Sequence, residues 1–164
     1  VPELEQYSKE SVTFLKAINE VLQQSPFELA YRALNELMLA LLAHHPANTA
    51  ELVAIWDDFM MCKVLPRIEG DSNKLRSHQT ADSDKSTESS QTEPNLLTDL
   101  EKALAAQFGS HWDGTRPDLF NCKEAAAGES SAPAETPHVP CRSKKKLAWM
   151  KERLARQCFT SFWP

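Results

Sequence analysis

The sequence predicts an all-α protein, a small helical bundle, and three observations support this. Glycine occurs only 4 times in 164 residues, which disfavours a β fold with many tight turns and any glycine-rich phosphate loop. Apolar residues recur at spacings of three to five, as on one face of a helix. Two of these stripes directly follow capping signals that are typical of helix starts. We therefore expect a three-helix core that is completed by a fourth helix.

The three core helices are predicted within residues 1–68. Residues 3–24 place leucine, isoleucine, valine and tyrosine along one helical face. The sequence Ser-Pro-Phe-Glu at 25–28 predicts the start of the second helix, because serine can cap and proline is tolerated at the first helical position. Asn-Thr-Ala-Glu at 48–51 predicts the start of the third helix, which we expect to end before Pro66.

The fourth helix is predicted within residues 94–120, together with an aromatic turn that packs on the core. Its apolar stripe runs from Leu96 to Phe108, and Gly109 is placed to end it. Trp112 lies in the turn that follows. The stripe has no partner inside this segment, so we expect it to pack on the first three helices.

Two linkers are predicted on composition. Residues 69–93 contain only Leu75 and Ala81 as apolar side chains, among acidic residues, serine and threonine. A segment of this kind buries too little apolar surface to offset the entropy cost of ordering it. Residues 121–141 are rich in alanine, proline, glutamate and serine. We predict that both segments are disordered, and that the second one tethers the C-terminal helix.

Charge is distributed very unevenly along the chain. Residues 142–164 carry seven basic residues and one acidic residue, a net +6, whereas residues 1–141 carry 22 acidic and 11 basic residues, a net −11. The basic segment is also amphipathic, so we predict a basic docking helix over 142–164. The predicted partner-binding anchors are Trp149, Met150, Leu154, Phe159, Phe162 and Trp163. The predicted electrostatic collar around them is Lys144, Lys145, Lys146, Lys151, Arg153 and Arg156.

Three hypotheses account for such a segment. It could dock into a groove, on this chain's own bundle or on a protein partner. It could bind RNA or DNA within a ribonucleoprotein or chromatin complex. It could also be a calmodulin target or a membrane-surface helix, since both are basic and amphipathic. The acidic body would repel a polyanion and attract the basic tail, which favours docking, and nucleic-acid binding is the alternative.

The predicted function is therefore a non-enzymatic protein-interaction subunit, a scaffold or adaptor, of a multiprotein assembly. Scattered cysteines and the absence of a secretory signal favour an intracellular protein, and Lys144 to Lys146 fit a nuclear localisation cluster. No run of apolar residues is long enough to span a membrane.

The sequence offers no catalytic, metal or cofactor residues that we would predict. Asp57 and Asp58 form a carboxylate pair, which we interpret as solvated helix surface because nothing indicates a cleft around them. The adjacent His44 and His45 diverge on a helix and cannot chelate one ion together. The four cysteines lack the paired spacing of a zinc site. We therefore expect no enzymatic activity and no cofactor.

Overall fold

Helices make up most of the residues that the structure describes, as the sequence predicts. The structure is a computed structural model and describes residues 2–77, 95–121 and 136–164. The helices are α1 (Pro2–Leu22), α2 (Tyr31–His44), α3 (Thr49–Phe59), α4 (Leu96–Phe108), α5 (Ser110–Asp113) and α6 (Arg142–Gln157). The strands are β1 (Glu69–Asp71), β2 (Arg116–Pro117), β3 (His138–Val139) and β4 (Phe159–Ser161), and they form the antiparallel pairs β1–β4 and β2–β3. Within the described part of the chain, no helix combines the length and apolar character needed to cross a membrane.

The core forms where α1, α3 and α4 meet. Helix α1 packs against α2 and α4, and α3 packs against α2. At the centre, the rings of Phe14 and Trp56 stack with centroids 4.7 Å apart, and Phe108 lies 6.1 Å from Phe14. The indole nitrogen of Trp56 donates to the hydroxyl of Ser11 at 2.8 Å, so the polar atom of this buried ring is satisfied. A stack of three aromatic rings thus joins three helices.

The start of α3 confirms the predicted cap. The Oδ1 atom of Asn48 accepts from the backbone N–H of Glu51 at 2.9 Å, and Oε2 of Glu51 accepts from the N–H of Ala47 at 2.8 Å. This reciprocal pair satisfies donors that a helix start leaves unpaired. At its other end α3 widens into a π-helical turn over Met60–Val64 and then tightens into a 3₁₀ turn over Leu65–Arg67.

Helix α2 begins later than predicted. Its first residue is Tyr31, whereas the capping signal at Ser25 indicated an earlier start. The hydroxyl of Ser25 instead donates to the carbonyl of Leu22 at 2.5 Å and accepts from the N–H of Phe27 at 3.2 Å. Ser25 therefore closes the turn after α1, and Phe27 becomes buried in the core. The capping signal at Ser25 therefore marks a turn and not the start of a helix.

Helix α4 confirms the predicted fourth helix. The side chain of Asn95 accepts from the N–H of Thr98 at 2.8 Å at its start, and Gly109 ends it with a φ of 56°. A left-handed φ of this kind favours glycine. In the turn that follows, Trp112 is buried as expected, but Phe120 is exposed.

Parts of both predicted linkers belong to the fold. Leu75 is fully buried, and its carbonyl accepts from the N–H of Leu96 at 2.8 Å. In the second linker, β3 pairs with β2, and Cys141 is buried. These contacts join segments that are distant in sequence, so composition could not reveal them. The rest of the two predicted linkers, residues 78–93 and 122–135, lies outside the described residues, and the disorder predicted there stays a prediction.

Helix α6 is an integral part of the bundle. It packs against α4 and α3, and its apolar side chains Leu147, Met150 and Leu154 are buried. The chain then turns back, and β4 pairs with β1 in the register Gly70 to Thr160. The sequence left open whether the basic helix packs in cis, and the structure answers that it does. This position gives α6 one side in the core and one side in solvent.

Candidate functional site

A cluster of buried charges holds the start of α6. We define the buried charge cluster as Asp57, Asp58, Arg116, Asp118 and Arg142. The side chains of Asp57 and Arg116 are both fully buried. The interpretation of Asp57 and Asp58 as solvated helix surface is therefore wrong, since the side chain of Asp58 is also only 12% exposed. The reason is that α3 is covered on nearly all sides, since Leu52 through Asp57 are buried without interruption.

Asp57 caps α6 from a different helix. Its carboxylate accepts from Nε and Nη2 of Arg116 at 3.0 and 2.9 Å, and from the backbone N–H groups of Arg142 and Ser143 at 2.8 and 2.9 Å. The hydroxyl of Ser143 donates to it as well, at 2.5 Å. Cys141, the residue before α6, supplies no side-chain cap of its own. The negative charge of Asp57 thus meets the positive end of the α6 dipole and its otherwise unpaired N–H groups.

The pKa values of the other two carboxylates of the cluster, Asp58 and Asp118, are shifted in opposite directions. Asp58 accepts through Oδ1 from Arg116 at 2.5 Å and from Arg142 at 3.3 Å. Burial nevertheless raises the pKa of Asp58, against the pull of the two guanidinium groups. Asp118 accepts from Nδ2 of Asn121 at 2.6 Å and pairs with Arg142 at 3.0 Å. The hydrogen bond from Asn121, and then the one from Arg142, lower the pKa of Asp118 to about 2.

The arrangement of the cluster fits an architectural role. Both arginines are engaged by carboxylates of the same chain. Among the described residues, no three histidine, cysteine, aspartate or glutamate side chains are grouped so that they could hold a metal ion. The neighbouring Cys141 thiol donates to the carbonyl of His111 at 3.3 Å, and burial raises its pKa to about 12. A thiol with this pKa is protonated at neutral pH and is a poor nucleophile.

The solvent side of α6 carries a second charged region. This region is exposed and basic, whereas the buried charge cluster contains both signs of charge. We define the aromatic–basic surface as Lys145, Lys146, Trp149, Arg153, Arg156, Phe162 and Trp163. Trp149 is 37% exposed and Trp163 is 62% exposed. Phe162 and Trp163 contact each other edge to face, with centroids 4.9 Å apart. Large exposed aromatic rings among basic side chains are typical of interaction surfaces.

Trp149 is held between two cations. The Nζ atom of Lys146 lies 4.1 Å from the ring centroid of Trp149 and 4.5 Å from that of Phe162. The guanidinium carbon of Arg153 lies 5.2 Å from the Trp149 centroid. Lys146 and Arg153 stand one helical turn before and one turn after Trp149, so they reach its ring from the N-terminal and the C-terminal direction along the helix. Burial, and then the charge of Arg153, lower the pKa of Lys146.

Two grooves adjoin on this surface. One has a volume of about 510 Å³ and the other about 350 Å³. The larger groove is lined by Met61, Arg142, Lys145, Lys146, Trp149 and Pro164. The smaller groove is lined by Trp149, Glu152, Arg153, Arg156, Gln157 and Pro164. Because Trp149 and Pro164 line both grooves, a ligand could extend from one into the other across the indole ring.

The structure separates the six predicted anchors into three groups. Trp149, Phe162 and Trp163 lie together on the aromatic–basic surface. Met150 and Leu154 are buried in the core, with exposures of 0% and 7%, so they are unavailable to a partner in this conformation. Phe159 lies in β4 and is exposed, but it lines neither groove.

The predicted collar also divides. Three of its members form ion pairs within the chain. These pairs are Lys144 with Asp113 at 2.5 Å, Lys151 with Glu101, and Arg156 with Glu152 at 2.6 Å. The other three, Lys145, Lys146 and Arg153, form no ion pair with any residue that the structure describes. The positive charge that is free to meet a ligand is therefore smaller than the sequence suggests, and it is concentrated beside Trp149.

A family model matches residues 2–159, which is nearly the whole chain and includes the cluster and all of α6. The chain belongs to the family described as Domain of unknown function (DUF8727). No curated protein and no solved structure matches the chain. The DUF8727 match includes Trp149 and the three unpaired cations and ends before Phe162. The aromatic–basic surface thus consists of family-matched residues on α6 and of residues that follow the match.

Proposed function

We propose that this DUF8727 chain is a non-enzymatic protein-interaction module. It serves as a subunit or adaptor of an intracellular, nuclear multiprotein assembly and docks its partner on the aromatic–basic surface. One observation carries the proposal: the exposed ring of Trp149 lies between unpaired cations on a helix whose opposite side is fixed in the core. Tryptophan and arginine are the residue types that most often dominate binding energy at interfaces.

The rigidity of α6 supports this proposal. Leu147, Met150 and Leu154 anchor its inner side, and Asp57 holds its first turn. A partner that binds Trp149 therefore meets a helix that is already ordered. The entropy cost of fixing an interface opposes binding, so a preorganised platform retains more of the contact energy.

Nucleic-acid binding is the second candidate, because basic grooves with exposed aromatic rings also bind single strands. Two observations weigh against it. Lys146 and Arg153 both contact the ring of Trp149, so a base that stacks on this ring would compete with a cation for it. The net −11 of residues 1–141 would also repel a polyanion.

Site-specific cross-linking in cells tests the proposal. A photo-reactive phenylalanine analogue replaces Trp163 in the full chain, and the cross-linked products are quantified after nuclease treatment. We compare the full chain with the variant Lys145→Glu/Lys146→Glu. The control variant Lys16→Glu/Lys102→Glu makes the same charge change on exposed positions of α1 and α4.

We expect cross-linked protein that survives nuclease, is lost in Lys145→Glu/Lys146→Glu and is retained in the control. Products that nuclease removes would favour the nucleic-acid candidate. Equal cross-linking in all three chains would overturn the proposal, because binding would then not depend on this surface. Imaging of the tagged full chain in intact cells tests the nuclear location, and exclusion from the nucleus would refute it.

A further inference from the structure

We infer that the ligand of the aromatic–basic surface is an acidic peptide of the partner protein. The peptide lies in an extended conformation across Trp149, with carboxylates on both sides of the ring. This inference rests on the proposed function and names the chemistry of the partner that the function requires.

The first argument is charge complementarity. Lys145 and Lys146 face the larger groove and Arg153 faces the smaller one, and none of the three has an acidic partner among the described residues. Glu152 is the one acidic residue in the described lining of the two grooves, and its carboxylate is taken by Arg156 at 2.6 Å. The surface therefore holds unneutralised positive charge on both sides of an apolar centre. A ligand with negative charges on both sides of an apolar segment would complement this surface.

The second argument is spacing. Lys146 and Arg153 are seven residues apart, which corresponds to about 10 Å along a helix. In the extended polyproline II conformation a peptide rises about 3.1 Å per residue and presents every third side chain on the same face, so carboxylates three residues apart would reach both cations. The residues between them would lie over Trp149 and Pro164, which line both grooves. We therefore expect acidic residues on each side of a short apolar segment.

The third argument distinguishes several carboxylates from a single phosphate group. Phosphate recognition favours arginine forks that converge on one point. Here Arg153 already donates through Nη1 to the carbonyl of Trp163 at 2.6 Å, and Arg142 is paired with Asp118 at 3.0 Å. The cations without an acidic partner, Lys145, Lys146 and Arg153, are spread over two grooves and do not converge on one point. They suit a series of carboxylates better than one dianion.

A library of random peptides about twelve residues long tests the inference, since this length extends past both grooves. The library is panned against the full chain, and the recovered peptides are counter-selected against Lys146→Glu/Arg153→Glu. The best peptide is then synthesised with a fluorescent label, and its binding is measured by anisotropy. A second version carries Gln and Asn in place of every Glu and Asp.

We expect recovered peptides that are enriched in Glu and Asp around an apolar centre. The labelled peptide should bind at least about tenfold more weakly to Lys146→Glu/Arg153→Glu than to the full chain, and binding should weaken with salt. Lys145→Glu, which alters one exposed side chain, should weaken it in the same direction. The control Lys16→Glu/Lys102→Glu should bind as the full chain does, and the Gln/Asn peptide should bind at least about tenfold more weakly.

Recovered peptides with the composition of the input library would overturn the inference, and so would equal binding of the Gln/Asn peptide. Tighter binding of a labelled oligothymidylate than of any peptide would also overturn it, in favour of nucleic acid. If peptides fail but the cross-linked partner is still lost in Lys145→Glu/Lys146→Glu, the docking function stands and only the acidic extended ligand is refuted. Failure of both experiments refutes the proposed function as well.

Discussion

Two charged regions adjoin α6, the buried charge cluster and the aromatic–basic surface. Both contain basic side chains, but the first lies inside the fold and the second faces the solvent. In the buried charge cluster, Arg116 and Asp57 are fully buried, and each hydrogen bond joins groups of the same chain. On the aromatic–basic surface, Lys145 and Arg153 carry the same charge type, but no acidic residue in the described part of the chain pairs with them. Burial, and not charge alone, decides which region stabilises the fold and which region presents unpaired charge to the solvent.

This difference has an energetic basis. Removing one member of a buried pair leaves the other charge without water and without a partner, which costs several kcal/mol. Removing an exposed charge costs a few tenths of a kcal/mol, because water replaces the lost contact. The cluster should therefore tolerate few substitutions without loss of stability, and the surface should tolerate many without loss of fold. The predictions below test this contrast.

The largest effect is expected for Asp57→Ala. The substitution leaves Arg116 buried without its main acceptor and leaves the first N–H groups of α6 unsatisfied. We expect the free energy of unfolding to fall by about 3–5 kcal/mol, measured by urea denaturation. The control is Asp113→Ala, whose carboxylate is 84% exposed and pairs with Lys144. A loss no larger than that of the control would contradict a stabilising cluster.

A smaller loss is expected for Arg116→Lys, which keeps the charge. The guanidinium of Arg116 contacts Asp57 through two nitrogens, Asp58 through one of these, and the carbonyl of Pro117 through the third nitrogen. A lysine ammonium cannot reproduce this planar fork, so we expect a loss of about 2 kcal/mol in urea denaturation. Arg32→Lys, at an exposed helix position, serves as the matched control. Stabilities that agree between Arg116→Lys and the unaltered chain would show that charge alone suffices.

Local features of the fold could be predicted from the sequence. The cap formed by Asn48 and Glu51 and the end of α4 at Gly109 depend on residues three or four positions apart, which a sequence displays directly. The helical stripes of α1, α3 and α4 were visible for the same reason. Such features require no knowledge of how the helices pack.

Features that depend on distant partners could not be predicted. Asp57 and Arg116 are 59 residues apart, so the sequence does not show that they pair. The pairing of β1 with β4 joins residues 69–71 to 159–161. Because this partner is distant in sequence, the composition of 69–93 alone suggested that the whole segment is disordered. One signal was available for Asp57. It follows the apolar run Leu52 to Trp56 and precedes Phe59, and a helix that is apolar on all sides is a central helix.

The candidate surface was predicted in outline only. Trp149, Phe162 and Trp163 were predicted as aromatic anchors, and the structure brings them together around Lys146. The amphipathic pattern of the segment could not show that Met150 faces the core, because a broad apolar stripe does not reveal which of its positions is buried within the chain itself. It also could not distinguish Lys144, which pairs with Asp113, from its neighbour Lys145.

An intermediate effect is expected in the pH dependence of Asp58→Asn. Burial raises the pKa of Asp58, so the folded chain binds this proton more tightly than the unfolded chain does. Stability from this group is therefore gained as pH falls from neutral towards its ordinary pKa. The free energy of unfolding of the unaltered chain, minus that of Asp58→Asn, should increase between about pH 7 and about pH 4.

Urea titrations of both chains across this pH range provide the measurement for Asp58. Other carboxylates, Asp118 among them, titrate in both chains, so their contributions largely cancel in the difference. A difference that is constant with pH, or that shrinks on acidification, would show that Arg116 and Arg142 outweigh the burial of Asp58.

The smallest effect on stability is expected for Lys145→Glu, which should nevertheless have a large effect on binding. Lys145 is exposed, lines the larger groove and forms no ion pair in the described structure, so we expect the free energy of unfolding to change by less than about 0.5 kcal/mol. Lys144→Glu makes the same charge change at the neighbouring residue, which pairs with Asp113 at 2.5 Å and lines neither groove. Lys145→Glu should therefore lose more of the cross-linked partner than Lys144→Glu, although it loses less stability in urea. The reverse order in either measurement would mean that the division between a stabilising region and a binding region is drawn at the wrong residue.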